Sequence, residues 1–188
     1  MEVAEAVKAR RARRVFSSKH IEDAEVLSMA EAARLSASCF NNQPWRLVFC
    51  RSGAVLEGVK GALAKGNVWA TRADTIVVVV ARPPDDCQLS DRRDYFGFDC
   101  GLAMGQMLLR ATELGIIAHP IAGYDPAKVR VALGVPEEFI IVTLVICGYP
   151  GTDDSLLSDK QKGWEAARPE RKPVGENFFM DRWWQPLV

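Results

Sequence analysis

The sequence predicts an α+β domain, and three observations carry that reading. Two β-branched runs, Thr75–Ala81 (TIVVVVA) and Phe139–Gly148 (FIIVTLVICG), read as buried strands. Residues 91–114 hold the longest helical pattern in the chain. No glycine-rich phosphate loop follows a strand, so neither a Rossmann nor a P-loop nucleotide site is supported.

Taken in order, residues 2–14 read as a short helix with Val3 and Val7 at i, i+4. Asp23 can cap a second helix reaching about Ser36, with Val26, Ala30 and Ala33 inward. Arg46–Cys50 (RLVFC) reads as a strand, and residues 54–65 as a helix stopped by Gly66-Asn67. The Thr75 run, bounded by RPPDD, fits a central strand covered on both faces. In the long helix, Phe98, Leu102 and Leu109 with Gly101, Ala103 and Gly105 suggest tight core packing, and Gly115 ends it. Ile116–Ile121 is a short strand leading into a glycine-containing turn. Asp125-Pro126 opens a helix that Gly134 closes. Beyond Tyr149-Pro150-Gly151 the composition turns polar and ends in ENFFMDRWWQPLV, which cannot form a core of its own.

The totals exclude several classes. A chain of 188 residues, 48% apolar and 26% charged, fits one ordinary globular domain. Lys plus Arg equals Asp plus Glu at 24 each, so no global field draws in a nucleic acid. The longest apolar run, Ile76–Ala81, is far too short to span a bilayer, and the start has no signal-peptide pattern. The five cysteines, Cys39, Cys50, Cys87, Cys100 and Cys147, form no CxxC pair, and there are only two histidines. No metal site is expected, and free thiols in a reducing cytoplasm are.

Two stretches carry chemistry. KARRARRVF, residues 8–16, packs five cations into nine residues. On a helix Arg10 and Arg14 share a face with Arg11 beside them, while Arg13 points away to solvent. Converging guanidiniums repel unless an anion sits between them, and their paired donors suit a phosphate. A solvated basic face is the competing explanation. SASCFNNQPWR, residues 36–46, places Ser38, Cys39, Asn41 and Asn42 after a helix, ahead of a sharp break at Gln43-Pro44-Trp45. Such groups can bond a polar heterocycle or polyol, or simply end a helix.

Together these blocks resemble the nitroreductase family of FMN-dependent oxidoreductases. The matching stretches are Arg10–Phe16, Ala37–Trp45, His119–Asp125 (HPIAGYD), Gly148-Tyr149-Pro150 and, more weakly, Arg171-Lys172-Pro173. Their order and spacing cover about residues 5–175.

The resemblance implies a mostly antiparallel central sheet flanked by helices, in an intertwined homodimer. Residues 1–150 would form the FMN-binding domain, and 151–188 an extension packing on the body or on the partner. Arg10, Arg11, Arg14 and Arg171 would hold the FMN phosphate. Ser38, Cys39 and Asn41 would contact the ribityl chain and ring edge from the partner subunit. Pro120, Ile121, Ala122 and Gly123 would lie against the flavin ring, with an N–H near Ala122-Gly123 facing N5. Asn67 is a weaker candidate for the pyrimidine end. His119 reads either as a proton donor or as a loop histidine. Phe40, Trp45, Trp69 and Tyr124 line the substrate face or serve packing. Ala12 stands where the family usually has a hydroxyl residue, removing one hydrogen bond worth about 1 kcal/mol.

The implied reaction is ping-pong hydride transfer from NADH or NADPH to a small electron-poor acceptor: a nitroaromatic, a quinone or an enone. The alternatives are a non-catalytic flavin-binding or redox-sensing protein, a reductive dehalogenase, or a flavin-destroying synthase.

Overall fold

The computed structural model describes residues 1–188. It contains α1 (Val3–Ala9), α2 (Asp23–Arg34), β1 (Trp45–Cys50), α3 (Gly53–Lys60), β2 (Thr75–Ala81) and α4 (Phe96–Glu113). These are followed by β3 (Ile117–Ile121), α5 (Pro126–Leu133), β4 (Ile140–Gly148), α6 (Asp159–Ala166) and α7 (Val174–Asn177). The four strands form one sheet in the order β1-β2-β4-β3, every neighbouring pair antiparallel.

The sheet is covered on both faces, which explains why β2 is continuously apolar and wholly buried. Ile76, Val78 and Val80 point into one core with Leu56, Val59, Trp69 and Val129. Val77, Val79 and Ala81 point into a second core with Met29, Ala103, Met104 and Met107. Strand alternation thus feeds α3 and α5 on one side and α2 and α4 on the other. A bulge between Val79 and Val80 skips Val142, so Ile141 and Leu144 reach the same core although three residues apart.

The start of α5 follows its sequence signal. The Asp125 carboxylate accepts from the N–H groups of Ala127 and Lys128 at 3.0 and 3.2 Å, with Pro126 next to it. At its end, Gly134 takes φ +63°.

Two helices differ from expectation. α4 is amphipathic rather than all core: Cys100, Ala103, Met104, Met107 and Ala111 are buried, while Phe98, Leu102, Gly101 and Gly105 are exposed. α1 stops at Ala9, and residues 10–16 run extended. Long-range pairing explains the second difference. Gly151 N–H donates to Val15 O at 3.0 Å and Ser17 N–H to Tyr149 O at 2.9 Å, across a Phe16–Pro150 bridge. Val3 and Val7 consequently lie on the surface.

The extended segment packs so closely that glycine is required opposite it. A Cβ on Gly151 would lie 2.3 Å from Phe16 O, and one on Gly148 would lie 2.8 Å from the Phe16 ring. Beneath Phe16, Trp69 is 1% exposed and stacks on both Phe16 (6.1 Å) and His119 (4.8 Å). His119 Nδ1 lies 2.9 Å from Arg13 O, tying β3 to the basic segment. Burial pushes His119 down to about 4; Arg14 and Arg10 act in the same direction, while Arg13 O and Glu165 oppose it.

Two expected outcomes follow from this packing. Gly151→Ala should cost about 2 kcal/mol, lowering Tm by roughly 4–8 °C, whereas Gly163→Ala, at an open helix position, should leave Tm unchanged or higher. Equal Tm shifts from the two would refute the close approach. Neutral burial of His119 also sets a pH dependence. The unfolded state takes up a proton below about 6.5 and the folded state only below about 4. Stability should therefore fall as pH drops through that window, by about 3 kcal/mol in all. An imidazole titration by NMR checks this, and half-protonation of His119 above pH 6 would contradict it.

Candidate functional site

The extended backbone at residues 10–14 delivers its arginines differently from a helix. Because α1 ends at Ala9, Arg13 is not on a solvated helix face. Instead Arg13 Nε pairs with Glu165 Oε1 at 2.7 Å, and the Arg14 N–H donates to Glu165 Oε2 at 2.7 Å. Arg11 donates to the carbonyls of Trp164 and Glu165 in the last turn of α6, at 3.1 and 2.8 Å. The Arg14 guanidinium lies over Trp69 at 5.6 Å and over Trp164 at 5.3 Å. Arg168 reaches back to Lys8 O and Arg10 O at 2.6 and 2.7 Å.

The outcome is a cavity of about 260 Å³ lined by Arg10, Arg11, Ala12, Arg14, Trp164, Arg168, Pro169 and Arg171. Four of these arginines were expected from the sequence. Arg168 was missed; its only signal was its position three residues before Arg171. The nearby acid, Glu165, is already engaged by Arg13 and the Arg14 backbone. Burial pushes the Arg10 guanidinium down, as do Arg168 and Arg171. Burial also lowers Arg14, while Glu165 pulls it the other way. Five guanidiniums around one cavity call for an anion that offers several oxygen acceptors at once.

A shallower groove of about 460 Å³ also includes Arg10. It runs along Ser36 and Ala37 and the outer face of α4 at Gly101, Leu102, Gly105 and Leu109. Past Ala37 the chain enters a loop with three left-handed residues: Phe40 (φ +47°), Asn41 (φ +60°) and Gln43 (φ +50°). Ser38 Oγ accepts from the Gln43 N–H at 3.0 Å, and Gln43 Nε2 donates to the Asn41 O and Oδ1 at 3.1 Å. Phe40 is 92% exposed.

Cys39 departs from the expectation of free thiols. It forms a disulfide with Cys87, while Cys50, Cys100 and Cys147 are free and buried. In this state Cys39 has no S–H to donate. Its backbone N–H donates to Asp99 Oδ2 at 2.6 Å, and burial pushes the Asp99 carboxyl up. Separation of the two cysteines by 48 residues hid the pair from sequence reading.

The third region is the end of β3. Pro120 is exposed on this edge strand, where a missing N–H is tolerated. Ile121 points into the core instead. Gly123 O accepts from Asn67 Nδ2 at 2.9 Å and from the Ala64 N–H at 3.0 Å. A Cβ on Gly123 would sit 2.6 Å from that Asn67 nitrogen, so glycine permits the approach. The Ala122 and Gly123 N–H groups donate to no backbone carbonyl, which leaves two amides free for a ligand. Asn67 thus holds the loop.

Comparison with known proteins bears on the fold and the family. The family model described as "Nitroreductase family" matches residues 7–71 and 62–149. An uncharacterised 15.4 kDa protein of Mycolicibacterium smegmatis is 32% identical over 131 residues, spanning 68% of this chain and 83% of its own. An Archaeoglobus fulgidus protein named as an NADH dehydrogenase/NAD(P)H nitroreductase is 31% identical over 146 residues, 75% of this chain and 81% of its own. A solved oxidoreductase containing FMN superposes with a TM-score of 0.83 at 25% identity, covering 97% of this chain and 93% of that one. The chain has the nitroreductase fold and belongs to the nitroreductase family of oxidoreductases.

Proposed function

We propose that the protein is an FMN-dependent NAD(P)H oxidoreductase acting on small electron-poor acceptors. The observation that carries this reading is the arginine cavity. A flavin phosphate is a dianion with several acceptor oxygens, and Arg10, Arg11, Arg14, Arg168 and Arg171 supply a matching set of paired donors. Ala12 adds no hydroxyl to that set, and Arg168 offsets the loss.

The remaining residues fit the same group. Ser38, Cys39 and Asn41 lie on the loop past Ala37 and would contact the polyol of the flavin bound at the partner subunit, through backbone and amide groups rather than a thiol. Pro120 and Ile121 present the strand end, and the free amides of Ala122 and Gly123 offer donors to a ring nitrogen. Bound FMN would supply hydride acceptance and donation at N5, from NADH or NADPH to a nitroaromatic, quinone or enone, in ping-pong order. The protein's part is binding, orientation and polarity. His119, neutral and held by Arg13 O and Trp69, is a strut of the site and not its proton donor.

The site is completed in a homodimer. Phe98 and Leu102 on α4, Leu27 and Leu35 on and beside α2, and Trp183 and Trp184 in the tail are large apolar residues left exposed, surface that a second copy would cover. Residues 151–168 pack on the body, because α6 supplies Trp164 and Glu165 to the basic segment and Arg168 reaches Lys8 O and Arg10 O.

The purified protein should be yellow and release FMN on denaturation. Arg10→Ala with Arg14→Ala should raise the FMN Kd by about 100-fold or more, with the circular-dichroism spectrum unchanged. Arg168→Ala should raise it by about 10-fold. Full flavin retention in the double variant would show that the phosphate binds elsewhere. In the loaded protein, steady NADH or NADPH oxidation with a quinone is expected, and its absence would point to flavin binding without turnover.

A further inference from the structure

Outside the arginine cavity, the 38–43 loop meets the segment that follows β2. The sulfurs of Cys39 and Cys87 and a carboxylate oxygen of Asp86 all lie within 4.8 Å of one another. Asp86 is 7% exposed, and Asp99, in the first turn of α4, is 1% exposed. Each acid has one satisfied oxygen: Asp86 Oδ1 accepts from Asn42 Nδ2 at 3.2 Å, and Asp99 Oδ2 accepts from the Cys39 N–H at 2.6 Å. The other oxygen of each, Asp86 Oδ2 and Asp99 Oδ1, is buried without a hydrogen-bond partner. The ion pairs of this region bypass both acids, because Arg46 and Arg82 pair with Asp85.

Two neighbouring buried acids with no cation between them are costly to ionise together, and burial with Asp86 alongside pushes Asp99 up. The disulfide accounts for the two sulfurs but not for those oxygens. We propose that, once Cys39 and Cys87 are reduced, their thiolates join Asp86 in a binding site for a soft divalent cation of the zinc class, with Asp99 beside it as a further negative group. Two sulfurs and one carboxylate oxygen, with water in the fourth position, make a tetrahedral donor set suited to Zn²⁺. With Zn–S near 2.3 Å and Zn–O near 2.1 Å, the ligand atoms of Cys39, Cys87 and Asp86 would sit about 3.6–3.8 Å apart, inside the 4.8 Å that spans them. The ion supplies the positive charge that the acids lack.

The chemistry balances simply. A phosphine attacks one sulfur and breaks the S–S bond; water then displaces the second thiolate, giving its oxygen to the phosphine oxide and its two protons to the two thiols. Metal binding then releases those thiol protons. The disulfide and the metal are therefore mutually exclusive occupants of one place, and both anchor the loop carrying Ser38 and Asn41.

The test compares the full chain in its oxidised and phosphine-reduced forms, without oxygen. Zinc is titrated by calorimetry, and its neighbours are read by X-ray absorption at the zinc edge. Reduced protein should bind a single zinc per chain at least ~100-fold more tightly than oxidised protein, with two sulfur neighbours at about 2.3 Å. Asp86→Asn should weaken binding at least ~10-fold while keeping both sulfurs. Equal zinc uptake by the two forms, or a shell of oxygen and nitrogen alone, would overturn the proposal and leave a proton shared between the acids as the neutralising charge. Neither readout involves a flavin, so the result stands apart from the proposed oxidoreductase activity.

Discussion

Guanidinium groups brought to one cavity repel one another, and much of this chain's periphery exists to hold them there. Glu165 is the central restraint. Its carboxylate takes the Arg13 side chain on one oxygen and the Arg14 N–H on the other. The last turn of α6 takes Arg11 on its carbonyls, and two tryptophans enclose Arg14. Restraint of this kind differs from neutralisation. One acid against six arginines at residues 10, 11, 13, 14, 168 and 171 leaves the cavity strongly positive, as a binding site for an anion must be.

The same segment links the site to the core. Phe16 and Val15 pair with Tyr149–Gly151, and His119 Nδ1–H donates to Arg13 O above a buried Trp69. The basic strand is thereby locked between the end of β4, the edge strand β3 and α6. Displacing any of these elements moves the arginines, so stability and ligand affinity are coupled here through shared backbone contacts.

What was legible in the sequence followed from local rules. β2 and β4 announced themselves by uninterrupted β-branched residues, and α5 by a capping aspartate, a proline and a closing glycine. What was not legible depended on partners far along the chain. Residues 10–14 carry a helical charge pattern, yet Gly151, some 135 residues on, claims their neighbours' backbone for pairing. Glu165 made Arg13 an anchor, and nothing near Arg13 announces that. α4 looked like an all-core helix because composition does not say which side of a helix meets the core and which stays on the surface.

The Cys39 loop shows why both levels are needed. Its Ser, Cys and Asn residues suggested ligand contacts, yet its shape comes from left-handed backbone at Phe40, Asn41 and Gln43 and from ties to Cys87, Asp86 and Asp99. A loop fixed by a sulfur bond and buried acids holds its remaining polar groups in place without help from a bound ligand. Preorganisation of that kind lowers the ordering cost of binding. It also means that any change in the sulfur chemistry reaches the polyol side of the proposed site directly, through a single residue, Ser38, whose hydroxyl closes the loop onto the Gln43 N–H.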